Sequence, residues 1–165
     1  MNGKKVLLGI VTLTMVLLGI FFCCINKEYL SESIMISEVC SKNQRVIYDK
    51  TGDYVDYIEL FNPTKHTIDI SGYMISDKET NEFAQIIEDS CIESGEYKII
   101  YIYNFGISDN ETIKLSDRSG NEIDRIKVPI LAADSVYALD FSGKKWRVMP
   151  ATPARENVIQ KDSEI

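Results

Sequence analysis

Two kinds of hydrophobic pattern divide the chain. Val6 to Ile25 carry no charge; as a helix rising 1.5 Å per residue this run would extend about 30 Å, the thickness of a bilayer's hydrocarbon core. Beyond a polar stretch, residues 26–33, apolar residues recur in short alternating groups: Ile34, Ile36 and Cys40, then Ile58 and Leu60, then Ile68 and Ile70. Turn-forming sequences separate the groups, among them Asn62-Pro63-Thr64, Ser71-Gly72, Ser94-Gly95 and Ser119-Gly120. This pattern predicts about seven short strands. Tyr97 to Tyr103, β-branched and aromatic and largely apolar on both sides, suits a central strand. A hairpin is expected from Thr112–Leu115 through Asp117–Asn121 to Ile123–Val128, with Gly120 and Asn121 supplying positive φ. No stretch after residue 30 keeps a helical period for three turns, so the expected fold is all-β, two packed antiparallel sheets with Ile36, Ile58, Leu60, Ile70, Ile99 and Leu115 in the core.

The N-terminal run has two readings, a cleaved secretory signal and an uncleaved anchor. It is longer than a signal's usual apolar region, and it ends Phe21-Phe22-Cys23-Cys24-Ile25 without a small-x-small cleavage site, which favours the anchor. Phe22 before Cys23 is a poor lipidation context, and the two cysteines read as small apolar residues of the span. Lys4 and Lys5 precede the run, whereas Lys27 after it is offset by Glu28; the positive-inside rule therefore leaves the N-terminus in the cytoplasm. The expected organisation is a cytoplasmic N-terminus (1–5), a transmembrane signal-anchor helix (6–25), a linker (26–33), a β-sandwich outside the cell membrane (34–157) and a polar C-terminal tail (158–165).

Composition narrows this picture. The 165 residues (18.8 kDa) allow one domain and an appendage; 45% hydrophobic and 26% charged residues are those of a globular chain. The net charge of -7 disfavours direct nucleic-acid binding. Cys40 and Cys91 lie far apart in sequence and fit no metal pattern, and the single histidine, His66, sits in a polar turn. A disulfide between them would need α-carbons within about 7 Å, a distance that their spacing in sequence does not give.

Candidate chemistry is sparse. Asp49, Asp53, Asp56 and Glu59 form the densest acidic group; hard cations such as calcium take oxygen ligands of this kind, but the spacing is not that of a twelve-residue calcium loop, and a solvated turn is the better reading. Lys144, Lys145, Trp146 and Arg147 are the one basic-aromatic concentration, a candidate contact for an anionic envelope polymer or lipid head group. Tyr97, Tyr101, Tyr103 and Phe105 lack the basic groove that nucleotide stacking requires and read as sheet packing. No catalytic triad, catalytic carboxylate pair or cofactor motif is present.

An ordered series of pieces resembles the lamin tail domain family in its bacterial, membrane-anchored form. These are Ile36-Ser37-Glu38-Val39, Asp56-Tyr57-Ile58-Glu59-Leu60-Phe61-Asn62-Pro63, Ile68 to Asp77, Ile92-Glu93-Ser94-Gly95-Glu96-Tyr97, the Ile113 to Gly120 hairpin, and Trp146 followed by Thr152-Pro153. The resemblance spans roughly residues 34–157. It departs at Ala154, where the family often has glycine after the proline. It implies an immunoglobulin-like β-sandwich without catalytic residues or cofactor, in which the tryptophan closes the sandwich and no disulfide is needed. The function it implies is an interaction module, its partner an unknown protein or cell-envelope polymer. The alternative is an accessory or substrate-docking subunit of a cell-envelope hydrolase or nuclease system.

Overall fold

The computed structural model describes residues 33–142 and 144–158. The expected N-terminus, the span 6–25, nearly all of the linker and all but the first residue of the tail lie outside the described residues. Among the described residues no helix is long and apolar enough to cross a membrane.

Eleven strands, all antiparallel to their neighbours, follow one another along the described chain. They are β1 (Met35–Cys40), β2 (Tyr57–Phe61), β3 (Ile68–Asp69), β4 (Met74–Ser76), β5 (Gln85–Ile86), β6 (Cys91–Ile92), β7 (Tyr97–Tyr101), β8 (Thr112–Ser116), β9 (Glu122–Lys127), β10 (Ser135–Asp140) and β11 (Lys145–Pro150). Five form a sheet in the order β11-β10-β1-β2-β7, four another in the order β5-β4-β8-β9, and β3 pairs with β6. The arrangement is a sandwich, as the alternation predicts.

The core is aliphatic: Ile36, Val39, Ile58, Leu60 and Ile100 come from the larger sheet, Ile75, Ile113 and Leu115 from the smaller, and Ile70 and Ile92 join them. Ile36 and Val39, three positions apart, both point inward because the β1–β2 register shifts between Ile36 and Glu38. Such a bulge inserts a residue and resets the alternation. It also turns the Ile36 N–H to Asp124 Oδ2 on β9, 2.8 Å away, a stitch between the sheets.

The described chain forms eleven strands rather than about seven, because β4, β5 and β6 are only two or three residues long and too short to show as alternation. Two further expectations need correction. Ile99 does not join this core; Ile100 does, and Ile99 packs on the opposite face of the sheet. The strand it belongs to is not central either. β7 pairs with β2 alone and forms the sheet's edge. A run apolar on both sides suited a strand covered on both faces, and the covering of β7 is indeed two-sided; lateral position is a separate property that alternation does not encode.

The expected hairpin is β8–β9. Asp117 builds its turn by accepting from the Ser119 and Asn121 N–H groups, both at 2.8 Å; Gly120 supplies φ of 87°, whereas Asn121 does not take the positive φ expected of it.

Candidate functional site

The acidic group does not converge. Asp49 heads a tight turn in which its Oδ1 accepts from Thr51 N (2.8 Å), Thr51 Oγ1 (2.7 Å) and Asp53 N (3.0 Å), and its Oδ2 from the Tyr103 hydroxyl (2.7 Å). These bonds, led by Thr51 and Tyr103, hold the Asp49 carboxyl well below the usual carboxylate range. Asp53 Oδ2 lies 2.9 Å from the same Thr51 hydroxyl and shares its one proton with Asp49, Asp56 accepts from the Ile107 N–H, and Glu59 lies on β2, fully buried. Among the described residues no group of three or more His, Cys, Asp or Glu side chains is placed to hold a metal ion.

The basic-aromatic cluster is divided by strand geometry. Trp146 stacks at 5.1 Å on Tyr137 and packs against the main core, while its neighbours Lys145 and Arg147 point the other way. Arg147 Nε donates to Asp140 Oδ2 at 3.1 Å, and Lys144, with φ of 49°, is exposed in the turn before β11. Cys40 is buried on β1, where burial pushes its thiol up to about 12; Cys91 is exposed on β6, and neither is bridged.

A buried polar constellation gathers around Glu59, a member of the acidic group, and Glu38, which the sequence did not single out. Glu38 and Glu59 are cross-strand partners on β1 and β2, and both are fully buried. They occupy the face of the larger sheet that points away from the core, between an apolar patch (Cys40, Tyr57, Val136, Ala138 and Met149) and the segment following β11. Glu38 Oε1 accepts from the Tyr57 hydroxyl (2.5 Å), and its Oε2 from the backbone N–H (3.1 Å) and hydroxyl (3.0 Å) of Thr152. Glu59 Oε1 accepts from the Ser37 hydroxyl (2.7 Å), and its Oε2 from the Ala154 N–H (2.6 Å). Asn157 completes the clasp: its Nδ2 donates to Ser37 O at 3.0 Å, and its Oδ1 meets Thr152 Oγ1.

Burial is the first cause that raises both carboxyls, and the Glu38 charge adds to it at Glu59, which is pushed up to about 7. Donor arithmetic points the same way at Glu38. The Thr152 hydroxyl has one proton and two acceptors within reach, Glu38 Oε2 and Asn157 Oδ1. With a proton on Glu38, the carboxyl donates to Thr152 Oγ1 and the hydroxyl donates to Asn157, which satisfies all three. A single glutamate in each of two largely apolar strands, Glu38 in β1 and Glu59 in β2, was the available signal; Thr152 and Ala154, which close over them, lie more than ninety positions away.

Chemically this constellation holds chain to chain: neither carboxylate reaches solvent, and every bond goes to the protein's own donors. Fold and site together define an immunoglobulin-like β-sandwich of the binding-module class. The Lamin Tail Domain family matches residues 29–129, and the chain belongs to that family, one of non-enzymatic, binding-type immunoglobulin-like domains. No curated protein and no solved structure matches the chain. The family match ends before β10, yet β10, β11 and the clasp segment complete the larger sheet and close its outer face. At Ala154, where the resemblance expects glycine, φ is 59°. The left-handed geometry that aims the N–H at Glu59 is retained, at a cost of about 1–2 kcal/mol for a residue with a Cβ.

Proposed function

We propose that this protein is a membrane-anchored interaction module whose sandwich lies outside the cell membrane and acts by binding. The observation that carries the reading is the fate of the carboxylates that hydrolysis would require: Asp49 is spent on a turn, and Glu38 and Glu59 on holding the C-terminal segment. The anchor is supported by the uncharged run Val6 to Ile25 and its flanking lysines. Its partner is a protein or polymer of the cell envelope, and Lys144 and Lys145, exposed at the β10–β11 turn, stand available to an anionic one.

Two measurements on the full-length chain test this. Protease added to intact cells should digest residues 34–157 while the N-terminus stays protected, and the mass of membrane-extracted protein should include Met1 to Ile25. A mature N-terminus between residues 24 and 33, or a protected domain, would overturn the anchor and its orientation. Affinity capture from detergent-solubilised envelope should recover a partner at constant stoichiometry. Recovery of a hydrolase or nuclease would shift the reading to the accessory-subunit alternative.

A further inference from the structure

β7 has one side paired and one side open. Asn62 N–H donates to Glu96 O at 3.1 Å and Ile102 N–H to Asp56 O at 2.9 Å, at the two ends of the β2–β7 ladder. Because antiparallel partners alternate between bonded and non-bonded pairs, Lys98 and Ile100 also turn their amides toward β2. Tyr97, Ile99 and Tyr101 therefore turn theirs outward, where among the described residues no strand pairs with them. Tyr103, next in the same phase, agrees: its N–H donates outward to Gln85 Oε1 at 3.2 Å.

Beside this edge runs an open groove of about 670 Å³, walled on one side by β7 and on the other by residues 86–90. Its floor includes Ile87 and Ile100, both buried, and Tyr103 stands 57% exposed at one end. Three outward N–H and three outward C=O groups, repeating every second residue over about 17 Å of strand, are what an added strand recognises. Lys98 alone blunts this edge, and a natural edge otherwise so apolar is ordinarily covered. The tyrosine hydroxyls that would contact a sugar are already engaged, Tyr101 with Tyr48 O and Tyr103 with Asp49.

Charge sets the sign of the occupant. Lys50 and Lys98 line the β7 side and Glu88 and Asp89 the far wall; none of the four has an ion-pair partner among the described residues. The adjoining depression shares Asp89 and Lys98 and adds Asp69, whose charge Arg118 meets at 3.1 Å, so the groove's own lysines and carboxylates balance and the negative field comes from the chain's net charge of -7, which favours a basic partner. We infer that the β7 edge and its groove bind an extended segment of another protein by strand addition, a segment with apolar side chains at alternate positions and net positive charge. The inference rests on the binding-module reading and names the class of partner.

The test uses the full-length chain in detergent and two nine-residue peptides of alternating valine and threonine, one with lysine at both ends and the other with glutamate. Fluorescence anisotropy should show saturable binding of the lysine peptide at least about tenfold tighter than of the glutamate peptide. On binding, hydrogen exchange at the Tyr97, Ile99 and Tyr101 amides should slow by at least about tenfold. Ile99→Pro removes one outward N–H at an edge position that tolerates proline, and should weaken binding about tenfold or more with the unfolding midpoint retained. If that variant fails to fold, the exposed double substitution Glu88→Lys with Asp89→Lys decides instead, and should reverse the preference between the two peptides. Absence of binding, protection elsewhere than on β7, binding indifferent to the variants, or the same three amides protected by soluble glycan chains but not by peptide would each overturn the inference. A partner captured equally by wild-type and Ile99→Pro bait would leave the module reading standing and remove only the groove from it.

Discussion

The two faces of the five-stranded sheet are both buried at their centres, by different chemistry. On the inner face Ile36, Val39, Ile58, Leu60 and Ile100 pack against the second sheet with no polar requirement beyond the backbone. On the outer face Glu38 and Glu59 are equally buried, but only because Tyr57, Ser37, Thr152, Ala154 and Asn157 supply donors and acceptors at fixed places. Burial of the first kind is non-directional and nearly independent of pH, whereas burial of the second kind specifies one position for the C-terminal segment and depends on protonation.

The largest expected effect breaks the inner face. Leu60→Ala should cost about 2–5 kcal/mol in denaturant unfolding, since Leu60 is fully buried among aliphatic neighbours. A loss below about 1 kcal/mol would mean that the inner face is not the close-packed one.

The outer face should respond to pH. The Glu59 carboxyl is raised from 4.5 to about 7 in the folded state. A raised acid stabilises the fold fully below its unfolded pKa, and this contribution disappears as pH rises through the folded value. Unfolding free energy should therefore fall by on the order of 1–3 kcal/mol between about pH 4.5 and 7.5. Glu59→Gln, neutral throughout, should flatten that slope, and an unchanged slope in the variant would assign the pH dependence elsewhere.

A smaller effect, of opposite sign, sharpens the geometry of the clasp. Ala154→Gly should stabilise the protein by about 1 kcal/mol, because the φ of 59° suits glycine and the N–H to Glu59 is kept. Thermal unfolding reads it, and destabilisation would mean that the methyl group packs usefully there. The smallest effect marks the boundary of the clasp: Lys145→Ala, on the same face but exposed and outside the network, should change stability by no more than about 0.5 kcal/mol.

The same contrast separates what could be read from the sequence and what could not. Ile58 and Leu60, the turn at Asp117–Asn121 and the β8–β9 hairpin follow from local alternation and turn chemistry, and the structure has them as expected. Val39 entered the core through a bulge, which local periodicity does not announce. Lateral strand order escaped as well: Tyr97–Tyr101 has the composition of a central strand, yet it stands at the edge. The Glu38–Glu59 clasp was hardest to anticipate. Alternation puts both glutamates opposite the core, which ordinarily means solvent, and only the return of residues 152–157 across that face buries them. The acidic group that did stand out, Asp49 to Glu59, is a sequence neighbourhood divided between a turn, a loop and a strand.

Whether a buried carboxyl pair grips the C-terminal segment on the outer face is read by a carbon-detected NMR titration of the Glu59 side-chain carboxyl. A midpoint near 7 is expected, with the amide signals of Thr152 and Ala154 moving in the same transition. A midpoint at or below the ordinary glutamate value of 4.5, with those amides unmoved, would contradict it.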